Sequence, residues 1–100
     1  MRLIIRVEQI AGHCPAYRVG DCIVLDHGFR LNLAETTAGC MHSFASMIPY
    51  HIALANGVRP EQMGLAHKEL RDGKAYVQCL DPCQVTGGGT VTFSMQVHED

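Results

Sequence analysis

The 100-residue sequence predicts an α+β fold: a four-stranded, mainly antiparallel sheet, with one long kinked helix and one short helix packed on one face. Three observations predict it. Apolar residues alternate with polar ones near the start of the chain, at Leu3, Ile5 and Val7. They alternate again near its end, at Val91, Phe93, Met95 and Val97. Between these lies a long apolar run, Gly39 to Gly57, with helical spacing. The length fits a single domain, 1–100, large enough to bury about two-thirds of its unfolded surface.

Residues 2–10 form the first expected strand. Gly12 and Pro15 break it into a loop, and Pro15 presses Cys14 into an extended conformation. The turn at Val19-Gly20-Asp21 leads to a short strand, Cys22 to Asp26, which stops at His27-Gly28. Phe29, Leu31 and Leu33 alternate, so the segment from Phe29 to Thr37 has the pattern of a short strand, and Thr36 or Thr37 is placed to cap the helix that follows. In that helix Phe44, Ile48, Ile52 and Ala55 recur at three- and four-residue spacing, which predicts the buried stripe. Pro49 removes a backbone donor in mid-helix and predicts a kink or a break. Asn56-Gly57 is the stop.

Arg59-Pro60-Glu61 reads as the start of the short helix, which Asp72-Gly73 closes. Lys74 to Leu80 is the third expected strand, with Ala75, Val77 and Cys79 on one side. Asp81-Pro82 is a turn, Gln84 to Gly89 a flexible hairpin connection, and Thr90 to Val97 the fourth strand. His98-Glu99-Asp100 is a polar tail.

Charge and hydropathy narrow the function. The net charge is −2 and no Lys/Arg cluster occurs, which argues against a nucleic-acid partner. No run of about 18 apolar residues occurs, and Arg6 and Glu8 interrupt any signal-peptide core, so no membrane association and a cytoplasmic location are expected. The central helix is apolar nearly all round, more than one sheet layer can cover, so a homo-oligomer is expected to bury the remainder.

Five cysteines is an odd and high count for a cytosolic chain, which favours metal binding, catalysis or simple burial over a disulfide framework. Cys14 stands in a loop beside His13; Cys40 opens the helix, where free amides and the helix dipole favour a thiolate. Cys79 closes a strand, with Cys83 just past the Asp81-Pro82 turn. Cys22, within a strand, reads as a small buried hydrophobe. If the first and third expected strands run in the same direction, Cys14, Cys40 and Cys79 fall at one end of the sheet. Soft thiolates suit zinc or an iron–sulfur cluster, with Cys83 or His42 completing four ligands. Two rival readings use the same residues. One is an enzyme with Cys40 as nucleophile and His42 or His13 as proton carrier. The other is a binding or assembly module whose cysteines are reduced and buried. His51, in mid-helix, reads as a satisfied core histidine. Asp21 and Asp81 read as turn residues, Asp81 with a lesser reading as a base or as the residue that orients a ligand. Gly87-Gly88-Gly89 lacks the strand–helix context and the Lys-Ser/Thr of a phosphate loop.

Cys14-Pro15, Gly20-Asp21, Cys40, Pro49-Tyr50 and Cys79 with Asp81-Pro82 occur in an order that resembles a family of small stand-alone bacterial and archaeal proteins. Its pattern is Cys-Pro…Gly-Asp…Cys…Tyr-Pro…Cys-x-Asp-Pro, and the resemblance spans about Leu3 to Val97. That family has no established biochemical activity, so the resemblance implies shared architecture rather than a mechanism. It sets Cys14, Cys40 and Cys79 apart from Cys22 and Cys83. Ala16 departs from a common Gly, and the Phe29–Thr37 and Gly87–Gly89 segments are longer than usual, the latter departure implying an added binding loop.

Overall fold

The computed structural model describes residues 1–99. Its elements, in order, are β1 (Arg2–Gly12), β2 (Cys22–Asp26), β3 (Arg30–Leu31), α1 (Met41–Ala55), a 3-10 turn (Pro60–Met63), β4 (Ala75–Gln78), α2 (Cys83–Thr86) and β5 (Gly89–His98). The strands form one antiparallel sheet in the order β3-β2-β1-β5-β4. The α+β class is as the sequence predicts, with five strands where four are expected. The fifth strand, β3, lies in the segment where the alternation of Phe29, Leu31 and Leu33 suggests a short strand; it is only two residues long and pairs Leu25 with Leu31 and Asp26 with Arg30.

The period-two pattern places Leu3, Ile5 and Val7 on one face of β1, beside Ile23 of β2 and Phe93 and Met95 of β5. All six are essentially buried, with Ala75 and Val77 continuing the face onto β4. A bulge interrupts β1 between Val7 and Gln9. Before it Val7 pairs with Phe93; after it Ile10 pairs with Val91. The extra residue, Glu8, switches the inward-facing set from odd to even positions. Its carboxylate accepts a hydrogen bond from Ser94 Oγ at 2.6 Å.

Helix α1 lies on the core face but presents a different side from the expected one. Ser43, Met47 and Leu54 are buried, whereas Ile48 is 61% and Ile52 47% exposed. The helix carries no Asp, Glu, Lys or Arg, so two apolar stripes compete, and only packing selects between them. It also runs through Pro49 without breaking into two. The expected second helix is reduced to the 3-10 turn, consistent with Gly64 following it in a left-handed conformation. The Gln84–Gly89 connection is not a bare flexible loop: Cys83–Thr86 forms a helical turn and Gly89 already belongs to β5.

Thr36 and Thr37 do not cap α1. Their hydroxyls accept the backbone N–H groups of Val24 and Cys22, at 3.0 and 2.9 Å, and fasten the 29–38 segment along β2. Beyond α1, the 64–74 segment is fixed to β4: Leu65 O accepts the Tyr76 N–H, and the Tyr76 hydroxyl donates to Asp72 Oδ2 at 2.6 Å. His98 ends β5, and Asp100 lies outside the described residues. No helix among the described residues is long and apolar enough to cross a membrane.

The two sides of α1 and the sheet differ measurably. Phe93→Ala should destabilise by about 3–5 kcal/mol, as truncation of a buried aromatic ring does. Ile48→Ala, on the exposed side of α1, should change stability by no more than about 0.5 kcal/mol. Urea unfolding of the two variants checks both; equal losses would place Ile48 in the core.

Candidate functional site

Because β1 and β4 are each antiparallel to β5, they run in the same direction. Their C-terminal ends, and with them Cys14 and Cys79, therefore lie at one end of the sheet, where β5 begins. The N-terminus of α1 reaches the same end. The loop after β1, the start of α1, the residues after β4 and the start of β5 enclose a cavity of about 260 Å³. Cys14, Cys40 and Cys79 all line it, with His13, Tyr17, His42, Ser43 and Asp81. Cys22 and Cys83 do not. Cys22 faces the other side of the sheet, where its thiol lies 3.4 Å from the Glu35 carbonyl, and Cys83 opens α2. All five cysteines are free thiols.

The walls are held by hydrogen bonds. Cys40 N–H donates to the Tyr17 hydroxyl at 2.9 Å. The Tyr17 and Ser43 hydroxyls are 2.7 Å apart, and Ser43 Oγ donates to the Cys40 carbonyl at 2.7 Å. With Ser43 committed as that donor, Tyr17 must donate to Ser43, and the three bonds close a ring on the Cys40 residue. Cys40 is the N-cap of α1, yet its side chain caps no amide. The backbone is fixed by its neighbours and the thiol is left unspent. Tyr17 and Ser43 are both buried, and the Tyr17 ring stands edge-on to Phe93, 5.2 Å between centroids.

Cys79 is the most enclosed of the three. Its sulfur accepts the Val91 N–H at 3.2 Å and its thiol faces the Gly89 carbonyl at 3.6 Å. Asp81 is tied into the β4–β5 connection: its carboxylate accepts from the Thr86 hydroxyl and from Gly89 N–H, and its carbonyl from the Thr90 hydroxyl. Gly89 is required by close approach. A Cβ there would sit 2.6 Å from the His13 carbonyl carbon and 2.8 Å from Cys14 N. The glycine run thus lets the start of β5 press against the Cys14 loop, and His13 N–H bonds to the Gly88 carbonyl at 3.1 Å. His13 and His42 are both exposed and line the same cavity. His51 lies elsewhere, its Nδ1 2.8 Å from the Gly28 carbonyl.

Burial pushes the Tyr17 phenol above its ordinary value; hydrogen bonds with Ser43 and the Cys40 amide oppose this in part, and negative charge on Cys40 and Cys14 adds to it. The phenol is therefore a neutral donor to Ser43 at ordinary pH. Among the described residues, no three His, Cys, Asp or Glu side chains are grouped closely enough to hold a metal ion. The thiols share a cavity without forming a ready-made ligand set.

Tyr17 and Ser43 were not legible as site residues. Tyr17 lies in a Pro/Gly-flanked loop with no periodicity. Ser43 carries a weak signal, being a polar residue four positions before Met47 on the stripe that proves to be buried. No family model, no curated protein and no solved structure matches the chain.

Two tests follow from this geometry. Tyr17→Phe should lower stability by about 1–3 kcal/mol, because it leaves the Cys40 amide without an acceptor and the Ser43 oxygen without the donor it accepts from; an unchanged urea midpoint would mean that the hydrogen-bond ring does not stabilise the fold. Stability should also fall as pH rises above 10, the ordinary tyrosine value. Burial first, then the bond to Asp72, push Tyr76 up to about 12, and Tyr17 is raised as well. Both phenols hold their protons in the folded chain while the unfolded chain ionises, so this contribution is complete below pH 10 and is lost as pH climbs toward 12. Unfolding free energy followed through that range, with Tyr76→Phe flattening the decline, is the check.

Proposed function

We propose that the cavity is a thiolate site that binds a soft metal ion, zinc or the iron of an iron–sulfur cluster, through Cys14, Cys40 and Cys79. The observation that carries this reading is the convergence of three cysteines from three separate elements on one cavity, while Cys22 and Cys83 stay outside it. Thiolate sulfur prefers such metals, and His42 or His13 on the same wall supplies a borderline nitrogen ligand of the kind zinc accepts. The ligands are not preassembled, so binding draws them together. Cys79 is the fixed point, held by the Val91 amide. Cys14 and Cys40 turn toward it by changing between staggered side-chain rotamers. The Tyr17–Ser43 ring keeps the Cys40 backbone in place meanwhile.

A second reading rests on a different observation: the Cys40 side chain caps no amide of α1, and His42 is two residues away on the same cavity. In that reading Cys40 is a nucleophile and His42 carries its proton.

Elemental analysis and an absorption spectrum of protein purified without oxygen separate the two. The metal reading expects stoichiometric metal or a cluster chromophore, lost in Cys14→Ser, Cys40→Ser and Cys79→Ser and retained in Cys22→Ser and Cys83→Ser. Occupancy should also fall as pH drops, because protons compete for the thiolates. Metal-free protein that stays empty after anaerobic reconstitution, and in which Cys40 alkylates far faster than Cys14 and Cys79, would replace it with the nucleophile reading.

A further inference from the structure

A second cavity, of about 190 Å³, lies between β2, β3 and the middle of α1, away from the cysteines. Its floor is the buried core: Ile5, Ile23 and Met47. Phe44 and Phe29 supply aromatic faces, and His51 is the sole lining residue with a polar side chain. Among the described residues, no charged side chain lines it. The tip of the β2–β3 hairpin holds His51 in position. His27 and Gly28 both have positive φ, at 58° and 85°, and a Cβ on Gly28 would stand 2.2 Å from Ala55 Cβ. Glycine is what allows this tip to seat on α1 and bring its carbonyl to His51 Nδ1. A carbonyl can only accept, so in the neutral ring Nδ1 carries the hydrogen and Nε2 is an acceptor. Nε2 has no protein partner among the described residues.

We propose that this cavity binds a small neutral aromatic molecule carrying one hydroxyl, with the hydroxyl donating to His51 Nε2. Size, polarity and hydrogen bonding agree on that class. A dry cavity of about 150 Å³ holds benzene, so this one has room for a single substituted ring. The absence of charge among the lining residues leaves an ionised ligand partly desolvated and without a counter-charge. The single acceptor calls for a single donor. A second copy of this chain packed face to face on the same surface fits less well, because the exposed apolar side chains that line the cavity, Phe29, Leu31 and Ile48, have no donor to offer. They would bury Nε2 unpaired. The phenylalanine rings and the Met47 sulfur give an aromatic guest edge and face contacts that an alkyl chain does not exploit.

The test titrates phenol and toluene, which differ by the hydroxyl donor at nearly equal size, into the full-length protein. Binding is read by calorimetry and by the imidazole ¹⁵N resonances of His51. Phenol should bind about three- to tenfold more tightly than toluene, the value of one hydrogen bond, and should shift the Nε2 resonance. His51→Phe should remove that preference while keeping the ring. Leu31→Trp, which fills the cavity from its exposed side, should weaken both ligands; it keeps the test valid if His51→Phe does not fold. Equal affinity for the two ligands, or no binding of either at millimolar concentration, overturns the proposal. So does a dimer by light scattering whose contact protects Phe29 and Ile48 and excludes phenol, which would make a second copy the occupant.

Discussion

The pairing of β1 with β5 is the constraint on which the other features depend. It runs nearly the full length of both strands, from Arg2 opposite His98 to Gly12 opposite Gly89, and joins the two ends of the chain at the centre of the sheet. β2 adds to the free edge of β1 and β4 to the free edge of β5. Two antiparallel steps give β1 and β4 a common direction, and the cysteines that follow them a common end. The bulge after Val7 refines this. It adds one residue to β1 without breaking the ladder and turns Ile10 toward Val91.

Polar groups at that end of the core are used sparingly and completely. The Cys40 peptide, the Tyr17 phenol and the Ser43 hydroxyl bond to one another in a closed set, and among the described residues no buried side-chain nitrogen or oxygen lacks a partner. Such a set is costly to break and rigid when whole. It connects the β1–β2 loop to the head of α1, two elements that share no backbone ladder. The sulfur atoms are weak hydrogen-bonding groups: Cys79 is held by its neighbours, while among the described residues neither the Cys14 nor the Cys40 thiol has a hydrogen-bond partner. The backbone around them is fixed by hydrogen bonds, while the Cys14 and Cys40 sulfurs are not.

Helix α1 separates two environments. Its first turn borders the thiol cavity with Ser43 and His42, and its middle borders the apolar cavity with Phe44, Met47, Ile48 and His51. It carries no Asp, Glu, Lys or Arg, so beyond the dipole at its N-terminus it brings no formal carboxylate, ammonium or guanidinium charge to either. The polarity of the apolar cavity comes from His51 of α1 itself, and that of the thiol cavity from His42 and Ser43 of α1 together with side chains from the β1–β2 loop and the β4–β5 connection.

Strand periodicity was legible in the sequence because one face of each long strand is buried. Leu3–Val7, Val91–Val97 and the inward Ala75, Val77 and Cys79 all follow from alternation alone. The grouping of Cys14, Cys40 and Cys79 was legible only as a condition on strand direction, which the order β1-β5-β4 satisfies. Four features lay beyond the sequence for identifiable reasons. The inward face of α1 is ambiguous because Phe44, Ile48, Ile52 and Ser43, Met47, Leu54 are both helical stripes on an uncharged helix, and only the sheet beneath chooses between them. The alternation of Phe29, Leu31 and Leu33 suggests a short strand but does not fix the two-residue extent of β3. The bulge at Glu8 changes which residues face inward without changing composition. Tyr17 and Ser43 are 26 positions apart, and neither residue type announces a partner at that distance. Local pattern determined the elements and the chemical character of the residues. Long-range packing decided which residues meet, because contact between distant elements depends on strand direction and helix rotation, and neither is written in any short stretch of the chain.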